Sequence, residues 1–174
     1  MLSPQSCGHN ISNLFEVVKS MSNTEFRSVM GCYVTAVAVV SATDDNNNKK
    51  KLIGVTATTF SSVSLALPFV LWALSKYSQK HSIMTRVKNY AINILKNQQE
   101  DSALNFPKNQ EPFLNLNHYF NKVGVLIIMG SPATVECRLH AVYDSGDYSI
   151  ILGMVTLCKR SNLKPLTFFR GKFN

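Results

Sequence analysis

The chain has 174 residues, and its 18 Lys and Arg against 10 Asp and Glu give a formal net charge of +8. This length predicts one domain, since domains commonly hold about 150 residues. Hydrophobic residues make up 45% and charged residues 16%, which is enough for a core and excludes intrinsic disorder. The apolar runs 34–40 and 63–74 are shorter than the roughly 18 residues of a membrane span, and no secretory signal is visible. We therefore expect a cytoplasmic protein that does not enter a membrane.

Cysteine and histidine spacing argues against a metal site. None of the four cysteines forms a C-x-x-C pair, and none of the four histidines shows H-x-x-x-H spacing. Cys7 and His9 offer two ligands in a polar tail, which is too few for a stable site. The sequence therefore predicts no metal.

The chain divides into an arm and a domain. Residues 1–22 are weakly patterned and are predicted to be a loosely attached arm, with the domain at 23–174. Asn23 is expected to cap a helix that ends at Gly31. Its inward face would comprise Phe26, Val29 and Met30.

Short β-branched and alternating segments dominate the domain. They predict seven strands, at 33–42, 52–59, 69–74, 90–95, 133–143, 148–158 and 165–169. Short helices are predicted at 80–88 and 97–106, and a Pro- and Asn-rich loop at 107–121. Because so many hairpin-linked strands must cover their edges, the pattern favours a closed antiparallel barrel.

No familiar catalytic motif is present. The sequence lacks the G-x-G-x-x-G, phosphate-loop and G-x-S-x-G signatures, so an enzyme of this type would depend on a cofactor for its reactive group. Residues 56–64 carry six Ser or Thr hydroxyls in nine positions. Hydroxyls and free backbone N–H groups there could hold a phosphate or the polar edge of a heterocycle. The alternative is a Thr-rich strand that runs into an ordinary turn.

The hydroxyl-rich segment belongs to a set of six sequence blocks that follow one another in a fixed order along the chain. They are Phe26-Arg27-x-x-x-Gly31, the segment Gly54 to Pro68, Ser75-Lys76-x-Ser78, Tyr90 to Leu95, Gly146-Asp147 and Phe169-Arg170-Gly171. Together, from about Phe26 to Phe173, they closely resemble the flavin reductase-like family. The resemblance implies a mainly β fold: a six- to seven-stranded antiparallel Greek-key split β-barrel with two or three short peripheral helices.

The resemblance also implies a flavin site for FMN or FAD. The segment 54–59 would pass along the ring and ribityl chain, a second wall would follow the third strand, and the phosphate would meet the start of the next helix. The implied flavin-binding residues are Gly54, Val55, Thr56, Thr58, Thr59, Ala73, Leu74, Ser75, Gln79, Lys80, Asn105 and Phe106. Asn105 departs from the family pattern, which often has arginine at this position.

A second set of residues resembles the family's contacts to the nicotinamide dinucleotide. Tyr148 stands where the family's Gly-Asp-His turn has histidine, so it keeps an aromatic ring but carries no charge at neutral pH. The terminal block would meet the pyrophosphate through its cations. The implied residues are Tyr148, Phe169, Arg170, Gly171 and Lys172.

These implications predict an NAD(P)H:flavin oxidoreductase that transfers hydride from NADH or NADPH to flavin N5. Family likeness further implies a homodimer and an oxygenase component as the recipient of reduced flavin. The alternative is a flavin-binding carrier or electron-transfer protein without reductase turnover. Nucleic-acid binding is disfavoured, because the lysines are dispersed and are not interleaved with exposed aromatics.

Overall fold

A computed structural model describes residues 22–46, 49–106, 113–114 and 116–174. The predicted arm lies outside these residues except for Ser22. The described chain forms three helices, α1 (Asn23–Met30), α2 (His81–Met84) and α3 (Glu100–Asn105). Its strands are β1 (Thr35–Ala36), β2 (Ala38–Asn46), β3 (Lys49–Ala57), β4 (Phe60–Ser64), β5 (Phe69–Ser75), β6 (Asn89–Ile94), β7 (His118–Phe120), β8 (Leu126–Ile128), β9 (Ala133–Ser145), β10 (Tyr148–Arg160), β11 (Thr167–Phe169) and β12 (Lys172–Phe173).

Seven strands form the main antiparallel sheet, in the order β3-β2-β6-β9-β10-β5-β4. Two smaller sheets flank it, β1-β11-β12 and β7-β8. The predicted mainly β, split-barrel fold with short helices is therefore confirmed.

The connection between β3 and β4 closes the barrel. These strands are the two ends of the sheet order, yet only Thr58 and Thr59 separate them in the chain. Three peptide steps span at most about 10 Å, so the end of β3 lies close to the start of β4, and the chain passes directly from one end of the sheet order to the other. The Ala73 N–H donates to the Thr59 carbonyl at 3.3 Å, which ties the connection to β5.

The core has two parts, divided by β2. Val40 and Ala42 belong to a cluster with Trp72, Tyr90 and Ile151, whereas Val37 and Val39 pack with Leu95, Phe106 and Leu166. Because both faces of the first half of β2 are covered, residues 37–42 form a nearly continuous apolar run instead of an alternating one.

The first helix differs from the prediction in its cap and its environment. Ser22, one residue earlier than expected, caps α1 and forms a reciprocal capping box with Glu25. The apolar face predicted to lie inward is exposed: Phe26 by 51%, Val29 by 65% and Met30 by 52%. The hydrophobic spacing was right, but α1 lies at the periphery of this single chain and buries none of its residues.

Several short strands lie outside the predicted set. β4 follows the Thr-rich segment, and β7 lies inside the segment predicted as a loop at 107–121, where it pairs with β8. The last predicted strand, 165–169, pairs with β1 and β12 instead of joining the main sheet. No helix in the described ranges is both long enough and apolar enough to cross a membrane.

Candidate functional site

The predicted flavin segment is the end of β3 and the connection to β4. Gly54 is buried, Val55, Thr56 and Thr58 are half-buried, and Thr59 is exposed. The Thr56 hydroxyl donates to the Ala103 carbonyl of α3 at 2.8 Å. The segment therefore presents main chain and threonine hydroxyls at the point where the barrel closes, and one hydroxyl already binds α3.

Gly54 makes room for two aromatic rings. A Cβ built at this position would lie 2.5 Å from Phe106 Cδ1 and 2.7 Å from Phe113 Cζ. Phe106 is fully buried and packs edge-on against Phe113, with ring centroids 4.9 Å apart. This packing brings the end of α3 directly onto β3.

Lys80 lies between β3 and α3. Its ammonium donates to the Gly54 carbonyl at 2.8 Å and to the Phe106 carbonyl at 2.6 Å. Burial lowers the pKa of Lys80, and the positive charge of Lys51 lowers it further. Two of the three ammonium N–H groups thus bind the backbone of predicted flavin-site residues, while the neighbouring Gln79 and Asn105 side chains are exposed.

The second predicted wall lies at the end of β5. Ala73, Leu74 and Ser75 pair with Ile150, Ser149 and Tyr148 of β10, so Tyr148 lies directly opposite Ser75. The structure thus brings the expected nicotinamide-side aromatic residue next to the expected flavin wall.

Lys76 holds the β9–β10 turn beside this wall. Its N–H donates to the Asp147 carbonyl at 2.9 Å, and its ammonium donates to the Gly146 carbonyl at 2.6 Å and pairs with Asp144. His81, which the sequence did not single out, lies 2.9 Å from the buried Ser149 hydroxyl through its Nε2. No sequence signal marks that contact, because the two residues are 68 positions apart.

The terminal block forms a tight hairpin between β11 and β12. Arg170 and Gly171 have φ values of 48° and 78°, as in a two-residue type I′ turn. The Arg170 guanidinium lies 5.2 Å from the Phe169 ring centroid, and the Arg170 backbone N–H donates to the Gly31 carbonyl at 2.9 Å. Lys172 is exposed. The hairpin therefore packs at the end of α1, and its recorded hydrogen bonds do not reach β3 or the β9–β10 turn.

Two cavities, of about 490 and 210 Å³, are lined by other residues. The larger lies between the β2–β3 hairpin and the segment 86–89, and the smaller lies beside Tyr119 and Lys159. Of the predicted flavin residues, Thr59, Gln79 and Asn105 are exposed, whereas Gly54, Leu74 and Phe106 are buried. Across the described ranges, no three His, Cys, Asp or Glu side chains converge as metal ligands.

The donor set of the predicted flavin residues fits a flavin. The half-buried Ala73 offers apolar contact to a ring, and Leu74, whose side chain is buried in the core, offers its main chain. The 55–59 main chain and the Thr58 and Thr59 hydroxyls offer polar contacts to the edge of the ring.

The family comparison agrees with this fold and surface. Residues 30–174 match the flavin reductase like domain, so the chain belongs to that family. The predicted family and enzyme class, a flavin reductase, are confirmed.

Individual relatives share the fold and much of the sequence. The FMN reductase (NADH) SmoA of Agrobacterium fabrum is 36% identical over 152 residues, covering 87% of this chain and 85% of that protein. The NADH:FAD oxidoreductase SgcE6 of Streptomyces globisporus, solved with NAD and FAD fragments, has a TM-score of 0.81 and 29% identity, covering 88% of this chain and 92% of that one.

One relative is markedly longer. The stachydrine N-demethylase reductase subunit Stc3 of Rhizobium meliloti is 34% identical over 148 residues, and the match spans 84% of this chain but 63% of that protein. The cofactors predicted from the sequence, a flavin and a nicotinamide dinucleotide, are the ones named for these relatives.

Proposed function

We propose that this chain reduces FMN with NADH and passes the reduced flavin to an oxygenase component. The observation that carries the proposal is the juxtaposition of three predicted site regions: the 54–59 segment, the α3 end at Phe106 and the Ser75–Tyr148 pair. The choice of FMN and NADH is supported by the 36% identity to a reductase named for both. FAD and NADPH are the alternative substrates.

In this proposal the protein acts by binding and orientation. When bound, the flavin supplies the hydride acceptor and the reduced nicotinamide supplies the hydride. The 55–59 main chain and Thr58 would fix the flavin's polar edge, while Ala73 and the Leu74 main chain would border its ring. Tyr148, opposite Ser75, would orient the nicotinamide by stacking. Such positioning contributes to rate because it removes the entropic cost of bringing two reactants together.

Consumption of NADH at 340 nm tests the proposal. We expect oxidation above the uncatalysed rate only when FMN, FAD or riboflavin is added, with the highest kcat/KM for FMN. Protein without flavin and flavin without protein are the two controls. If the protein binds flavin but does not accelerate NADH oxidation, the carrier function replaces the reductase.

The oligomeric part of the proposal is a homodimer in which the partner completes the flavin site. Two observations support it: part of the predicted flavin set, Thr59, Gln79 and Asn105, is exposed in one chain, and α1 exposes an apolar face. That face comprises Phe26, Val29 and Met30. Tyr33 and Val34 extend that face, with exposures of 71% and 54%. A second copy of the chain would cover such a face and exclude water from the flavin.

A further inference from the structure

Two side chains fasten the carboxyl end of α3 to β3. The Lys80 ammonium donates to the Phe106 carbonyl at 2.6 Å, and the Thr56 hydroxyl donates to the Ala103 carbonyl at 2.8 Å. The last carbonyls of a helix have no partner within the helix, so donors from elsewhere must satisfy them. A lysine is especially favourable there, because its positive charge meets the negative end of the helix dipole.

Lys80 also binds β3 itself. The same ammonium donates to the Gly54 carbonyl at 2.8 Å, so one cation joins the strand, the helix end and its own segment. The fit is close, because the missing side chain at Gly54 leaves the space that the Phe106 and Phe113 rings occupy. Movement of α3 away from β3 would therefore break both Lys80 contacts and open this aromatic packing.

The segment that carries Lys80 has a second attachment at its other end. Lys76 binds the β9–β10 turn through Asp147 and Gly146, next to Tyr148. Residues 76–80 thus form a short bridge between the two predicted halves of the site, with one lysine at each end.

This geometry differs from what a phosphate ligand requires. A phosphate-binding lysine directs its ammonium at the anion, whereas Lys80 already gives two of its three N–H groups to backbone carbonyls. Those carbonyls also carry partial negative charge, which would oppose a phosphate placed beside them.

We propose that Lys80 is a positioning residue, which locks the end of α3 onto β3 and so holds the flavin-binding segment 54–59 in one geometry. The proposal rests on the proposed flavin site. It assigns to Lys80 an effect on every flavin, irrespective of whether that flavin carries a phosphate.

Lys80→Met tests this role, because methionine keeps most of the apolar stem and removes the ammonium. We expect the Kd values of FMN and riboflavin to rise by the same factor, about tenfold, from the loss of a charge-assisted contact. In steady-state reduction, the KM for each flavin should rise by the same factor as its Kd. Lys80→Arg, which can reach the same carbonyls, should recover most of the affinity.

Hydrogen exchange gives a readout that does not need flavin. In Lys80→Met we expect faster amide exchange in 100–106 and in 54–57 than in the wild type, with β9 and β10 unchanged. Lys122→Met is the matched control, since Lys122 is exposed and makes no recorded side-chain contact within the described part of the chain. Lys122→Met should change neither the amide exchange rates nor the affinity for FMN or riboflavin.

The outcomes separate the two proposals. A loss of FMN affinity alone would overturn the positioning role and assign Lys80 to the phosphate, and unchanged affinity for both ligands would also overturn it. Wild-type protein that binds no flavin would refute the proposed function, even if exchange showed that Lys80 holds α3. Should Lys80→Met fail to fold, Thr56→Val should show equal, roughly threefold losses for the two ligands, as expected for a neutral hydrogen bond.

Discussion

At the scale of single residues, Gly54 combines a packing requirement with a predicted flavin contact. The family resemblance implies that Gly54 contacts the flavin. In the structure, the absence of a side chain at Gly54 leaves space for the Phe106 and Phe113 rings. Both assignments hold together if the main chain faces the flavin while the opposite side receives the rings. The packing requirement could not be inferred beforehand, because Phe106 and Phe113 are more than 50 positions away in the sequence.

Gly54→Ala should destabilise the protein by about 1–3 kcal/mol, because the new methyl group overpacks the site. Chemical denaturation of the wild type and the variant measures the difference in their free energies of unfolding, provided that the two m-values agree. The double variant Gly54→Ala with Phe106→Leu should lose less than the sum of the single changes, since the smaller side chain relieves the clash. Strict additivity would show that the two positions do not compete for space.

Asn105 gives a second prediction at the residue scale. The side chain is exposed at the carboxyl end of α3, where the family resemblance implies an arginine, and the helix dipole there favours a cation. Asn105→Arg should therefore tighten FMN binding about tenfold through a charge-assisted phosphate contact, and leave riboflavin nearly unchanged. Asn105→Gln, which adds length without charge, is the control. Equal gains for both ligands would place the new guanidinium against the ring or the protein instead of the phosphate.

At the scale of elements, local patterns predicted the long strands well. The β9 sequence alternates between apolar and polar residues from Ala133 to about Tyr143, and β10 alternates in burial from Tyr148 to Met154. The Asp144–Asp147 turn lies where Gly146 predicts it. The short strand β4 and the β7–β8 pair were missed, because three to five residues carry too little periodicity to stand out from a loop. Tertiary pairing, not local propensity, fixes those segments.

The candidate site could be located only in part for the same reason. The order and spacing of the blocks predict which segments bind flavin and which bind nicotinamide, and the pairing of Tyr148 with Ser75 brings one predicted segment of each kind together. The contacts of Lys80 and Lys76 with distant carbonyls were not predictable, since a backbone acceptor leaves no trace in the amino-acid sequence.

Lys76 is predicted to hold the β9–β10 hairpin in position beside Tyr148. Lys76→Met removes the ammonium contacts to Gly146 and Asp144, so the turn should move more freely beside Tyr148. We expect the KM for NADH to rise severalfold, in line with one lost charge-assisted hydrogen bond at an exposed position, while the Kd for FMN stays unchanged. Steady-state kinetics at saturating FMN, with Lys122→Met as control, measures the effect. A matching rise in the FMN Kd would show that the hairpin belongs to the flavin side.

At the scale of the whole molecule, the exposed face of α1 gives the dimer a specific test. Light scattering should report about twice the 19.4 kDa chain mass for the wild type. Val29→Glu places a charge in the centre of the apolar face and should shift the protein towards monomer, because burial of an unpaired carboxylate is costly. Flavin affinity should fall with it if the partner completes the site. A wild-type monomer across a range of concentrations would remove the dimer from the proposal.

The two-residue connection between β3 and β4 has a consequence for how the protein folds. β3 and β4 are joined by two residues but lie at opposite ends of the sheet order, so the barrel is closed only when every strand between them has paired. The β2–β3, β4–β5 and β9–β10 hairpins form from residues close in sequence, whereas the β5–β10 pairing closes a long loop and is expected to be slow. In pulse-labelled refolding, amides shared by β9 and β10 should gain protection first and the amides that join β5 to β10 last. The ability to bind flavin should appear with that final phase, since the predicted binding segment takes its shape only when the barrel closes.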